Sequence, residues 1–118
     1  MTNRPTSIRV CGQLFRIGYE MDWTNHALGF VNLNEGLIEL NPELPDDQAR
    51  ETLLHEVIHA VDKLSMSGMV MSSLYRDDKK GDKMFRLEEW AVVGISCGLW
   101  MTLADPRNRE AVDWMLNR

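Results

Sequence analysis

His55-Glu56-Val57-Ile58-His59 sets two imidazoles four residues apart, with a carboxylate directly after the first. In an α-helix, positions four apart differ by about 40° in azimuth and by one turn in height, so both imidazoles project from one face. Two nitrogens so placed can grip a single tetrahedral zinc ion. Glu56 falls beside the metal rather than on it, where it can take a proton from a water that the metal activates. With His55 as the zero of angle, His59 and Asp62 lie within about 40° of it, while Leu53, Val57, Val61 and Leu64 centre roughly on the opposite side. The histidines thus form a polar stripe of their own, and they are two of only three in the chain.

Two histidines do not complete a catalytic zinc site, which takes three protein ligands and keeps one position open. The extended pattern HExxHxxGxxH is broken here, with Asp62 at its glycine position and Ser65 at its third histidine. Glu88 is the expected third ligand. It lines up with Val92, Ile95 and Leu99 at helical spacing, and a carboxylate on such an apolar face is costly unless paired or bound to metal. Glu89 is the alternative, nearer Arg86 and Lys83 and easier to leave in water. Ion pairs of these acids at the surface would be worth little. His26 and the cysteines remain as other donors, and Asp62 suits a supporting or helix-end position better than the metal itself. Tyr75 and His26 are candidates for the donor that steadies a developing oxyanion.

The elements that must carry these groups fit one domain spanning 1–118, since the chain has 118 residues and domains commonly run roughly 100–150. An apolar fraction of 44% and a charged fraction of 26% are those of an ordinary globule rather than a disordered chain. Thirteen Lys and Arg against 18 Asp and Glu leave a net charge of −5, which disfavours a nucleic-acid partner. No apolar run approaches the roughly 18 residues of a membrane span, and MTNRPTSIRV has no apolar signal core. Cys11 and Cys97 are far apart in sequence and suggest no disulfide framework. A cytoplasmic location is expected.

The pattern divides near Asp46, with strands before and helices after. Ser7–Val10 and Gln13–Tyr19 read as a hairpin around Cys11-Gly12. Leu28–Leu33 and Leu37–Leu40 flank the turn Asn34-Glu35-Gly36, and Asn41-Pro42 stops the pairing. Pro45 to about Leu64 reads as a helix, with Asp46 and Asp47 at its start and an apolar stripe of Leu53, Val57, Ala60, Val61 and Leu64. Ser65–Gly81 reads as a lid or, equally, as a connection in which methionines fill gaps. A second helix is expected from about Asp82 to Leu103, ended by Asp105-Pro106, and a third over Arg107–Leu116. In the second helix Gly98 and Gly94 would permit close approach of another helix, Cys97 would be buried, and Trp23, Trp90, Trp100 and Trp114 would be core and helix contacts. The fold class is therefore α+β: a small N-terminal antiparallel sheet of three or four strands on two long helices plus a short C-terminal one.

The chain resembles the compact zincin-type metallopeptidases, notably the small phage- and prophage-encoded members and, more distantly, the ImmA/IrrE type. The likeness runs from the hairpin at Ile8 to Asp105-Pro106 and Trp114, and is strongest in ETLLHEVIHAVDK, residues 51–63. The family carries a later helix whose glutamate begins an E-x-x-A pattern, matched by Glu88-Glu89-Trp90-Ala91. The resemblance implies a minimal zincin-like fold, with His55, His59 and Glu88 as zinc ligands and Glu56 as catalytic acid and base. The DNA-binding module that often accompanies ImmA/IrrE-like members has no room here. The expected function is zinc-dependent hydrolysis of peptide bonds in a peptide or protein substrate laid along a strand edge, either Leu37–Leu40 or Leu28–Leu33. The alternative is a zinc-stabilised interaction domain of a phage or prophage complex, without turnover.

Overall fold

Short β-rich runs, closed by turns that demand positive φ, build the first half of the chain. In the computed structural model, which describes residues 4–20, 28–65 and 94–118, strands β1 (Ser7–Val10) and β2 (Gln13–Gly18) form an antiparallel hairpin. Its two-residue turn places Cys11 at φ 51° and Gly12 at φ 81°. Strands β3 (Gly29–Asn32) and β4 (Leu37–Leu40) form a second antiparallel hairpin, turned at Gly36 with φ 59°.

The fold is α+β as expected, but the sheet is mixed rather than purely antiparallel. Its order is β1-β2-β4-β3, and β2 and β4 run parallel. Burial explains the order. All four residues of Leu37-Ile38-Glu39-Leu40 are buried, as an interior strand requires, whereas those of β3 are only half-buried and suit an edge. Leu37–Leu40 is therefore paired on both sides and offers no edge to a substrate.

Alternate residues Ile8, Val10, Phe15, Ile17, Ile38 and Leu40 face one side of the sheet. Helix α1 (Asp46–Ser65) lays Leu53, Val57, Ala60 and Val61 on that side, all fully buried. Asp46 and Asp47 complement the helix N-terminus, and Asp46 also accepts from Arg4 at 2.9 Å. Residues 94–104 are helical (α2), and a 3₁₀ turn at Pro106–Asn108 leads into α3 (Arg109–Met115). Asp105 caps that turn by accepting from the Arg107 amide at 3.0 Å. Arg50 ties α1 to α3, donating to the Trp114 carbonyl at 2.8 Å with its guanidinium over the Trp114 ring.

Gly98 lets α2 press on α1 as expected, since a Cβ there would meet Val61 Cγ1 at 2.5 Å. Trp100 and Cys97 depart from expectation, for both are exposed, Trp100 to 72%. The buried face of α2 runs through Gly98 and Thr102, flanked by partly buried Ile95, Leu99 and Leu103. A contact made by glycine has no room for an indole, so Trp100 takes the outer face.

The free edge of β1 is closed by side chains. Asn108, 1% exposed, accepts from the Arg9 amide at 2.6 Å and donates to the Arg9 carbonyl at 2.6 Å and the Thr102 carbonyl at 2.8 Å. One side-chain amide thus replaces a neighbouring strand. Asn108→Ala orphans these buried groups and is expected to cost about 3 kcal/mol, roughly a 10 °C fall in thermal midpoint. A melt within a degree or two of wild type would refute that role.

Glu39 lies on the sheet face away from α1, 8% exposed. Its carboxyl sits over Gly18, where a Cβ would meet Oε1 at 2.5 Å, and its Oε2 has no hydrogen-bond partner among the described residues. Burial pushes its pKa up, against a backbone hydrogen bond from Glu20 and the charge of Arg16. The folded protein thus holds this proton more tightly than the unfolded chain, so stability falls as pH rises from the ordinary carboxylate value through the folded one. Glu39→Gln is expected to flatten that slope and to add about 1 kcal/mol near neutral pH. Denaturant melts at about pH 4 and about pH 8 check this, and parallel profiles for the two proteins would contradict it.

Candidate metal centre

Both histidines ride on α1, one turn apart, because the run from Asp46 to Ser65 contains no breaker. Their Nε2 atoms stand 3.1 Å apart and their rings meet edge to face at 4.7 Å between centroids. Zinc–nitrogen bonds of about 2.0–2.1 Å at a tetrahedral angle put two nitrogens about 3.3 Å apart, so the pair already holds nearly the bite of such an ion. His55 is exposed and His59 half-buried, which leaves the pair open to solvent on one side.

Burial lowers the pKa of His59, and the neighbouring charges of His55 and Lys63 push the same way against Asp62. The neutral ring, the form that binds metal, is thereby favoured. Because the unfolded chain takes this proton more readily, the shift subtracts stability as pH falls through the ordinary histidine value.

Glu56 is only 5% exposed although it neighbours the exposed His55. Burial raises its pKa, opposed by the charges of His55 and Lys63. A carboxyl so placed is a better base when ionised than one in water. Helical spacing gathers Thr52, Glu56, His59 and Lys63 into one stripe, and β3 is what that stripe follows. Thr52 Cγ2 is 3.1 Å from where a Gly29 Cβ would lie, and Lys63 reaches the Val31 carbonyl at 3.5 Å. Glu56 and His59 occupy the turns between these two contacts, so both are carried alongside the edge strand.

The pairing parity of β3 matters here. Asn41 donates to the Leu28 carbonyl at 2.9 Å, so residues 28, 30 and 32 bond inward to β4, and Gly29 and Val31 turn their backbone groups outward. With β1 closed by Asn108 and β4 interior, β3 is the edge among the described strands that accompanies the histidines. Lys63 is the neighbour that no motif announces. Its spacing of four from His59 and seven from Glu56 is the only signal the sequence carries.

Among the described residues no group of three or more His, Cys, Asp or Glu that could hold a metal ion is formed: His55 and His59 are paired, Glu56 follows His55 in the chain, and no third ligand joins the pair from the described residues. Glu88, Glu89, His26 and Tyr75 all lie outside the described residues, as does most of Ser65–Gly81. Asp62 is buried on α1, one turn beyond His59. Cys11 and Cys97 belong to the other end of the sheet and to α2, away from the pair. No helix among the described residues is long and apolar enough to cross a membrane. Set against protein-family models, curated proteins and solved structures, the chain matches none of them.

Proposed function

We propose that this chain is a zinc-dependent metallopeptidase, with His55, His59 and Glu88 holding the ion and Glu56 serving as general base and then general acid. One observation carries the reading: two Nε2 atoms 3.1 Å apart on one helix, beside a carboxylate that is almost fully buried. A bound zinc ion would supply Lewis acidity, polarising a peptide carbonyl and bringing water's pKa toward neutrality. Glu56 accepts the proton of the attacking water at its carboxylate and later delivers it to the leaving amine. The raised pKa of Glu56 suits both halves of that cycle, since a group that holds a proton more tightly takes it up and can still return it. An extended substrate segment would pair with the outward backbone groups of Gly29 and with Val31, taking the place of Lys63 at the Val31 carbonyl, which keeps it parallel to the stripe of Glu56 and His59.

A purely structural zinc site does not require an acid at position 56, and this favours turnover over a zinc-stabilised interaction domain. The direct experiment measures zinc per chain after chelator-free purification, together with cleavage of an unfolded protein substrate. One zinc per chain with chelator-sensitive cleavage is the expected result. Stoichiometric zinc without cleavage would move the assignment to the interaction domain, and a chain that takes up no zinc would remove both.

A further inference from the structure

We propose that Cys11 and Cys97 are partner thiols that close into a reversible disulfide between the β1–β2 turn and α2. The turn itself is the first sign. With Val10 opposite Gln13, its two central residues are Cys11 and Gly12, both at positive φ. Asparagine is the usual first residue of such a turn, because its side chain tolerates this backbone; cysteine has no such compensation. The unusual conformation aims Cys11 at α2. Its amide donates to Thr102 Oγ1 at 3.3 Å, and its Sγ stands 3.0 Å from where a Gly98 Cβ would lie.

Gly98 follows Cys97 directly, and successive Cα atoms are about 3.8 Å apart, so the Cys11 sulfur lies within about 8 Å of the Cys97 Cα. Rotation of the exposed Cys97 side chain covers part of that distance, and because a disulfide holds its Cα atoms about 4.4–6.8 Å apart, closure draws the turn toward α2 for the rest. The two thiols also sense each other electrostatically. Burial, and then the charge of Cys97, push the Cys11 thiol pKa up. The exposed Cys97 is accordingly the first to react and Cys11 the one that resolves.

The oxidant is a small-molecule disulfide. The Cys97 thiolate attacks one of its sulfurs, forming a mixed disulfide and releasing one small thiolate. The Cys11 thiolate then attacks Cys97 Sγ and releases the second. Two protein thiols lose two electrons and two protons, and one small disulfide becomes two thiols. This proposal is independent of any metal at His55 and His59.

The test equilibrates the full chain in glutathione buffers of graded redox poise, quenches with acid and reads intact mass and peptide maps. Wild type is expected to lose the mass of two hydrogens, to give a Cys11–Cys97 linked peptide, and to revert with excess reduced glutathione. Cys11→Ser is expected to stop at a single glutathione adduct on Cys97. Wild type halting at that same adduct, or joining two chains through Cys97, would overturn the proposal. Since Cys11→Ser changes the strained turn, Cys97→Ser serves as the second variant; it should show neither linkage nor adduct, and an adduct on Cys11 would overturn the assigned order.

Discussion

The Glu56→Gln protein is expected to bind zinc as the wild type does and to hydrolyse peptide about 10²–10⁴-fold more slowly, the usual contribution of a positioned acid–base group. The amide has nearly the shape of the carboxylate, so packing along the stripe from Thr52 to Lys63 is retained. What is lost is the ability to accept a proton. Burial makes the loss severe, because a side chain 5% exposed is not readily replaced by solvent. The substitution also removes a buried titratable group, so the variant should be no less stable than wild type near neutral pH. This follows in sign from the raised pKa of Glu56, which withdraws stability as pH climbs past the ordinary carboxylate value. Hydrolysis is read from single-turnover cleavage and zinc from elemental analysis. Cleavage within a factor of a few of wild type would take Glu56 out of the chemistry.

Loss of a histidine should act on the other quantity. His55→Ala and His59→Ala are each expected to weaken zinc binding by more than about 100-fold, the upper end of what supporting residues contribute. His55 is exposed and touches His59 across one helical turn, so its removal should leave the fold intact. His59 is half-buried, and its substitution tests metal and packing together. Competition titration against a chelator of known affinity separates the two, with circular dichroism as the control. The affinity should also decline as pH drops below the ordinary histidine value, because protons then compete for the ring nitrogens. A His55→Ala chain with full zinc affinity would dismantle the site.

Much of this arrangement is legible without coordinates. The pairing of His55 with His59 follows from 3.6 residues per turn, and the apolar spacing of Leu53, Val57, Ala60 and Val61 assigns the helix its buried face. Strand limits at Val10, Gln13, Leu37 and Leu40 follow from turn residues beside them. These are local properties, dictated by backbone geometry within a few residues. The order of strands is not local. It depends on which run can be buried on both faces, and that contest between β3 and β4 is settled only when the hairpins dock.

The same distinction separates the site's parts. The spacing alone places Glu56 beside the first of two paired histidines, but its burial is decided in three dimensions, on a helix that approaches β3 closely where Gly29 faces Thr52. Cys97 and Trp100 read as interior residues on their own helix, yet both face outward because the contact with α1 is made through Gly98. Periodicity tells which residues share a face; only the neighbours that arrive in three dimensions decide which face is covered, since burial is a relation between elements and no element contains it.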